Sequence, residues 1–508
     1  MKKLWRFRGG VKLPGFKTLS NSASIRQSLI PGVVTIPLRQ HIGETAEPVV
    51  KVGDHVYKGQ LIATSGNFIS APVHASTSGS VIAIDKHTVP HKSGIAEVCV
   101  VIETDGADQW HPDIEPCTHP NNLSADELRT RIREAGIVGL GGAVFPSAAK
   151  LKPTRPIDTL VINGVECEPY ITCDDVLMRS RPEDIIRGIL LLRRLVDPAE
   201  CIIAVEDNKP EAIKALNDAI KKLKIAGVGS VNTIHVVAIP TVYPAGSEKQ
   251  LIKVLTGKEV PQQGLPYEVG IVCLNVGTTA ATYDAIYDGK PLVSRLVSIT
   301  GPQIKHPANY NVLLGTPVAH LLEDAGVRHV DDTKLIMGGP MMGHDLPHAQ
   351  VPVVKATNCI LAEKAAPLEN IASMPCIRCG ACATACPIGL LPQQLYWHSR
   401  GKDFDKLEHY NLPDCIECGC CAVVCPSHIP LVHYFRYAKT EKAAHELKLK
   451  LADQARLRTQ EREARLERVK KEQEERKARR KAARLKKKAA TANQHNADGA
   501  ESAAKVST

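Results

Sequence analysis

Eight of the sixteen cysteines fall into two matching runs. The first is Cys376-x2-Cys379-x2-Cys382-x3-Cys386-Pro387, and the second is Cys415-x2-Cys418-x2-Cys421-x3-Cys425-Pro426. Three thiolates this close can wrap three corners of a cube-shaped [4Fe–4S] centre, but the chain must travel before a fourth reaches the last corner. Gly380 and Gly419 let the backbone pass close to sulfur, and the prolines end each turn. Structural zinc is the rival chemistry for Cys-x2-Cys pairs, yet a four-ligand ion gives no reason for the same third and fourth cysteines in both runs. Disulfides are not expected, because no signal peptide opens the chain and the thiols should lie in a reducing compartment. Cys420, beside Cys421, reads as an outer neighbour, with a register in which it ligates left open. Cys99, Cys117, Cys167, Cys173, Cys201, Cys273 and Cys359 lack ligand spacing and read as small buried apolar residues.

The paired runs resemble those of bacterial two-cluster ferredoxins, in which the fourth cysteine of each run ligates the other cluster. That resemblance implies one cluster on Cys376, Cys379, Cys382 and Cys425, and a second on Cys415, Cys418, Cys421 and Cys386.

A second constellation is Gly136-x-x-Gly139-Leu140-Gly141-Gly142-Ala143-x-Phe145-Pro146-Ser147-Ala148-Ala149-Lys150. Closely spaced glycines let backbone amides approach a phosphate, and Pro146 suits the first turn of a helix whose N-terminus favours anions. Lys150 adds a point charge. The loop is neither a Walker loop nor a standard G-x-G-x-x-G, and alone it is weak evidence. Three patches add weight: Asn163-Gly-Val-Glu166-Cys-Glu168-Pro169-Tyr170 after an apolar strand, Tyr243-Pro-Ala-Gly246-Ser247-Glu248 before a helix, and Leu274-Asn275-Val276-Gly277-Thr278 after another strand. Each alone could be an ordinary βα turn with a capping residue; ligands of open α/β sheets bind at such strand ends.

The elements that must position these residues follow from pattern. Between residues 31 and 103 short strands alternate with Gly and Pro. Val52-Gly53-Asp54 to Gly59-Gln60 and Ser78-Gly79-Ser80-Val81 resemble the two halves of a biotinyl/lipoyl-type barrel sandwich, without the Met-Lys or Asp-Lys hairpin that would carry a covalent arm. Ser124-x-x-Glu127 is a capping box opening a helix toward Ala135. Strands at 159–163, 201–206 and 233–238 alternate with helices at 182–195 and 210–223, arguing a doubly wound parallel sheet. From 291 to 342, short strands surround a helix at 318–324, and 391–410, between the cysteine runs, is helical in pattern.

The 508 residues suffice for three or four domains. Net charge is +10, and residues 441–490 alone hold 19 Lys+Arg against 9 Asp+Glu, so the body is near neutral and a nucleic-acid-binding core is disfavoured. That Glu-, Lys- and Arg-rich segment has too few leucines for a coiled-coil seam. It reads as a solvated helix, with attraction to anionic lipid or a partner as a secondary role and a disordered tail after Thr491. No stretch reaches the ~20 apolar residues of a membrane span.

Together the glycine loop and the three patches resemble the NADH- and FMN-binding subunit of respiratory complex I. There a Gly-Arg-Gly-Gly-Ala-Gly-Phe-Pro loop with a following lysine precedes Asn-Ala-Asp-Glu-Gly-Glu-Pro, Tyr-Ile-Cys-Gly-Glu-Glu and Asn-Asn-Val-Glu-Thr. Position by position, the resemblance implies that Gly139, Gly141, Gly142 and Lys150 hold the FMN phosphate. Asn163 and Glu166 then border the flavin, Phe145 and Glu168 the NAD(H) nucleotide, and Gly246, Glu248, Asn275 and Thr278 the rest of the pocket. Leu140, Val165, Ser247, Leu274 and Gly277 depart from that pattern, which implies fewer flavin contacts.

The full order resembles the C subunit of the bacterial Rnf/Rsx ion-translocating electron-transport complex. Its most specific stretches are Tyr410-Asn411-Leu412-x-Asp414-Cys415 through Pro426-Ser427-His428-Ile429-Pro430-Leu431, and Gly338-Gly339-Pro340-Met341-Met342-Gly343. The resemblance implies a multidomain α/β and α+β protein. Its parts are an N-terminal arm and barrel-sandwich module (1–112), a Rossmann-like NADH/FMN-binding domain (113–288), a soluble-ligand-binding β-grasp module (289–362), a helical ferredoxin-type domain with two [4Fe–4S] clusters (363–440) and a charged helical or disordered tail (441–508). It implies a peripheral, NADH-linked oxidoreductase subunit on the cytoplasmic face of the inner membrane. Electrons pass between NAD(H), FMN and the clusters, and integral-membrane and iron–sulfur partner subunits couple this flow to ion translocation. No general acid or base is assigned. The alternatives are a flavin-free iron–sulfur hub and the diaphorase subunit of a soluble hydrogenase or formate dehydrogenase.

Overall fold

A computed structural model of the chain describes residues 3–66, 69–91, 93–327, 332–364 and 373–504. The N-terminal arm runs from Lys3 and contributes a short strand, β1 (Arg26–Gln27). Strands β2 (Val33–Pro37), β3 (Glu47–Pro48), β4 (His55–Val56), β5 (Leu61–Thr64), β6 (Val73–His74), β7 (Gly79–Thr88) and β8 (Ala96–Thr104) then form two antiparallel sheets, ordered β2-β8-β7-β4 and β3-β5-β6. Alternating residues such as Val34, Ile36, Val100 and Ile102 meet Ile62 and Val73 in one apolar core, as a sandwich requires. The module's Asp85-Lys86 pair lies inside β7 and not at a hairpin turn.

Next, α1 (Ala125–Glu134) starts at the capping box, with Ser124 and Glu127 bonded reciprocally. The glycine loop leads to α2 (Ser147–Lys150), which is a single turn. Strand β9 (Thr159–Gly164), helices α3 (Cys173–Ser180) and α4 (Pro182–Val196), β10 (Glu200–Glu206), α5 (Pro210–Ile225), β11 (Ile234–Ile239), α6 (Glu248–Thr256), β12 (Ile271–Asn275) and α7 (Val276–Tyr287) complete the domain. The sheet order is β11-β10-β9-β12 and every pairing is parallel. Both faces are covered. Leu160, Ile162, Ile203 and Val205 enter one core with Ile185, Ile189 and Leu192 of α4, while Val161, Ile202 and Ala204 enter the other with Leu251 and Leu255 of α6. Cys201 and Cys273 sit in these cores, and burial pushes each thiol up to about 12.

The third module is a six-stranded mixed sheet, ordered β1-β14-β13-β17-β15-β16. It is built from β13 (Ser294–Thr300), β14 (Ala308–Leu313), α8 (Val318–Ala325), β15 (Thr333–Met337), β16 (His344–Asp345) and β17 (Cys359–Lys364). Two features extend it beyond the expected 289–362: β17 runs past residue 362, and the arm strand β1 pairs with β14. Residues 365–372 of the expected ferredoxin-type region lie outside the described residues. From there α9 (Ala381–Ala385), α10 (Pro392–Gly401), α11 (Phe404–His409), α12 (Cys420–Val423) and the start of α13 (Leu431–Ala504) surround the two cysteine runs.

Residues 436–508 form a separate unit. It continues α13, with every side chain from Ala443 to Thr491 exposed. Lys442 and Glu446 make an i,i+4 pair at 3.1 Å. Where a disordered tail was expected after Thr491, the helix persists to Ala504; residues 505–508 lie outside the described residues. Among the described residues, no helix is long and apolar enough to cross a membrane.

Candidate functional site

The two cysteine runs fold alike. Arg378 and Glu417, each between the first two cysteines of its run, adopt left-handed φ values of 56° and 57°; Gly380 and Gly419 follow at 78° and 80° and open α9 and α12. Gly389 and His428, three residues past each fourth cysteine, match again at 76° and 49°. The repeated turns curl each run around a cavity. One cavity is lined by Cys376, Cys379, Cys382 and Cys425, beside Tyr396 and Leu431. The other is lined by Cys386, Cys415, Cys418 and Cys421, beside Leu395 and Phe435. Each therefore collects three thiols from one run and the fourth from the other. Cys420 is fully buried and lines neither. Four sulfurs closing on an apolar cavity suit a thiophilic iron centre.

At the other end, β9 and β12 lie side by side although several elements of sequence separate them, so their carboxyl ends frame the sheet's topological switch point. Asn163 and Asn275 are register partners there. Asn163 donates to the Gly246 carbonyl at 2.9 Å and accepts from the Val165 amide at 3.0 Å. Asn275 caps α7 by accepting from Gly277 N–H at 2.8 Å and donates to Asp174 at 2.6 Å. Thr278 accepts from Leu140 N–H at 2.9 Å, which docks the glycine loop on α7.

The loop amides of Gly141, Gly142 and Ala143 donate to no other described residue, and a Cβ on Gly142 would meet nothing within 4 Å. This is an open cradle of the kind a phosphate fills. Because α2 is one turn, the expected helix N-terminus contributes little, and the loop amides carry the cradle. Lys150 is ion-paired to Glu248. Gly246 is required by packing, since a Cβ there would lie 2.4 Å from the Val165 carbonyl. Phe145 is half-buried, and its carbonyl accepts from Gly139 N–H.

The two glutamates differ. Glu166 is 7% exposed; one oxygen accepts from Asp174 N–H at 2.8 Å, while the other has no partner among the described residues. Glu168 turns to the mixed sheet, where Oε1 accepts from the Met341 and Met342 amides at 2.7 and 2.9 Å, and burial raises its pKa. Lys17 of the arm holds this loop from below, donating to the carbonyls of Glu166, Glu168 and Ile171 at 2.6–2.7 Å. Asp174 is pushed up to about 7 by burial and by the Glu166 charge.

Sequence reasoning did not assign Asp174, Lys17 or Tyr243. Tyr243 opens the Tyr243-Pro-Ala-Gly246-Ser247-Glu248 patch. Its hydroxyl donates to the Cys418 carbonyl at 2.7 Å, and it is 3% exposed between the Cys167 loop and the second thiol cavity.

Residues 5–107 match the RnfC barrel sandwich hybrid domain, 132–284 the Nuo51 FMN-binding domain, and 375–429 the 4Fe-4S dicluster domain. A flavin-nucleotide domain joined to a two-cluster domain defines an electron-transfer protein of the flavin and iron–sulfur class. The chain is 47% identical over 471 residues to the C subunit of the ion-translocating oxidoreductase complex of Pseudomonas aeruginosa, covering 92% of this chain and 60% of that protein. It is 45% identical over 468 residues to the counterpart from Haemophilus influenzae strain PittEE, covering 92% and 70%. It belongs to the family formed by the C subunits of ion-translocating oxidoreductase complexes, and spans 57–60% of the length of the Pseudomonas aeruginosa and Erwinia tasmaniensis members. Among solved structures, the NAD+-reducing [NiFe]-hydrogenase in the H2-reduced state aligns over 65% of this chain and 63% of that one, with TM-score 0.46 and 18% identity.

Proposed function

We propose that the chain is the peripheral subunit through which an ion-translocating oxidoreductase complex exchanges electrons with NAD(H), on the cytoplasmic face of the membrane. The integral-membrane and iron–sulfur subunits of the same complex would couple that flow to ion movement. Bound FMN supplies the exchange between two-electron hydride chemistry and one-electron steps. The chain's residues bind, orient and shield. Gly139, Gly141, Gly142 and Lys150 take the phosphate, with Lys150 released from Glu248 to do so. Asn163 and Glu166 border the flavin, Phe145 and Glu168 flank the nicotinamide nucleotide, and Gly246, Glu248, Asn275 and Thr278 form the rest of the pocket at the switch point. Cys415, Cys418, Cys421 and Cys386 hold the cluster nearer the flavin; Cys376, Cys379, Cys382 and Cys425 hold the farther one.

The observation that supports this order is the Tyr243 hydrogen bond to the Cys418 carbonyl. It fastens the loop leading to Gly246 directly to one thiol cavity, so the nucleotide end and the cluster end belong to one packed body. The test is anaerobic addition of NADH to the purified chain, followed by cluster absorbance. Bleaching of both clusters, dependent on bound FMN, is expected. A chain that keeps oxidised clusters in NADH despite a full complement of FMN sinks the reading.

A further inference from the structure

Two buried basic side chains stand behind the glycine loop with no carboxylate in ion-pair contact among the described residues. Arg295, on β13, is 6% exposed and Lys355, in the loop before β17, is 1% exposed. Neither makes an ion pair among the described residues. All the hydrogen bonds their side chains donate go to backbone carbonyls. Arg295 donates to the Lys355 carbonyl and, at 3.4 Å, to the Leu140 carbonyl. Lys355 Nζ donates to Gly136 at 2.7 Å and Pro72 at 3.3 Å. Burial disfavours the charged forms, lowering Arg295 and drawing Lys355 down to about 7, and an anion beside them that is not part of the chain would restore both charges. Asp174 and Cys173 face Arg295, but the Asp174 carboxyl is itself held toward its neutral form.

Two of their partners, the Gly136 and Leu140 carbonyls, belong to the first half of the glycine loop. A trans peptide is planar, so a carbonyl and the following N–H point in opposite directions. With the Leu140 carbonyl drawn inward to the guanidinium, the Gly141 amide must face outward, where Gly141, Gly142 and Ala143 are exposed with their N–H groups unused. Lys355 fixes Gly136, whose φ of 67° ends α1 and starts the loop. A Cβ on Gly136 would lie 2.6 Å from the Pro72 carbonyl and 2.9 Å from Lys355 Nζ, and the backbone contact leaves no room for a side chain.

We propose that Arg295 and Lys355 form a buried cationic clamp for the phosphate of the flavin nucleotide, holding the glycine loop by its carbonyls, turning its free amides outward and placing positive charge behind them. They are positioning residues contributed by the mixed-sheet module to the neighbouring domain's ligand. The proposal rests on the flavin reading above and adds what selects a phosphorylated flavin over an unphosphorylated one.

The test uses the full chain stripped of flavin and titrated with FMN and with riboflavin, which share the ring and differ in the phosphate. Arg295→Gln and Lys355→Met should each weaken FMN binding by about tenfold or more, the size expected for one charge-assisted contact, and leave riboflavin binding unchanged. Arg295→Lys, which keeps the charge without the fork, should recover part of the loss. Equal weakening of both flavins, or no change in either, overturns the clamp. A native chain that binds neither flavin overturns the flavin reading itself, and the clamp with it. Should Arg295→Gln fail to fold, Lys355→Met and Arg295→Lys carry the same comparison.

Discussion

The Tyr243 hydroxyl donates to the Cys418 carbonyl at 2.7 Å, a direct tie between the switch-point domain and a thiol cavity. The arm reinforces it. Gly10 N–H donates to the Ala385 carbonyl at 3.0 Å, and a Cβ on Gly9 would lie 2.7 Å from the Cys386 carbonyl. Val11 bridges to Tyr243. A single segment thus touches the loop of one domain and the turn of the other, fixing the gap that electrons would cross.

Tyr243→Phe removes the hydroxyl and leaves the buried Cys418 carbonyl without that donor, at a cost of about 1–2 kcal/mol. In stopped-flow reduction by NADH, the flavin should reduce at the native rate while the clusters lag. Native cluster kinetics in this variant would remove Tyr243 from the electron path.

Asp174 yields a pH prediction. Its folded pKa, about 7, lies above the unfolded 3.8, so the folded state holds its proton more tightly and stability declines as pH rises through that window. Asp174→Asn keeps an oxygen to accept from Asn275 and removes the charge that burial and Glu166 oppose. Its melting temperature should exceed the native one at pH 8 and match it near pH 4. An equal difference at both pH values would show that charge is not the cause.

Asn275→Ala should cost about 1 kcal/mol through loss of the α7 cap, since Gly277 N–H loses its acceptor. The same change strips Asp174 of its donor and opens the pocket beside Gly141. FMN release should therefore quicken by more than the stability loss explains, as read by fluorescence recovery on dilution.

How much of this was legible depended on whether a signal was local. The cysteine spacing, the capping box at Ser124 and the period of α4 are local, and each element formed as its pattern implied. Asn163 and Asn275 were visible only as two separate patches; their pairing needs β12 to insert beside β9, which no short stretch encodes. Arg295 and Lys355 were invisible, because a lone cation in an apolar strand or loop gives no sign of which carbonyls it will meet. The brevity of α2 could have been read: Pro153, three residues past Lys150, disfavours helix at the residue before it.

Cys425→Ser and Cys386→Ser test the crossed grouping of thiols. Cys425 shares its cavity with the first run and Cys386 with the second, so each serine should damage the cluster of the opposite motif. Spectra of the remaining cluster in paired samples, with Cys376→Ser and Cys415→Ser as references, should match Cys425→Ser to Cys376→Ser. Matching Cys425→Ser to Cys415→Ser would reverse the assignment.

Whether two inorganic cubes sit at one end of a flavin-fed wire is tested most directly by cofactor analysis of the anaerobically purified full chain. About eight iron atoms, as many acid-labile sulfides and one extractable FMN per chain are expected. Zinc in place of iron, with no acid-labile sulfide, would contradict it.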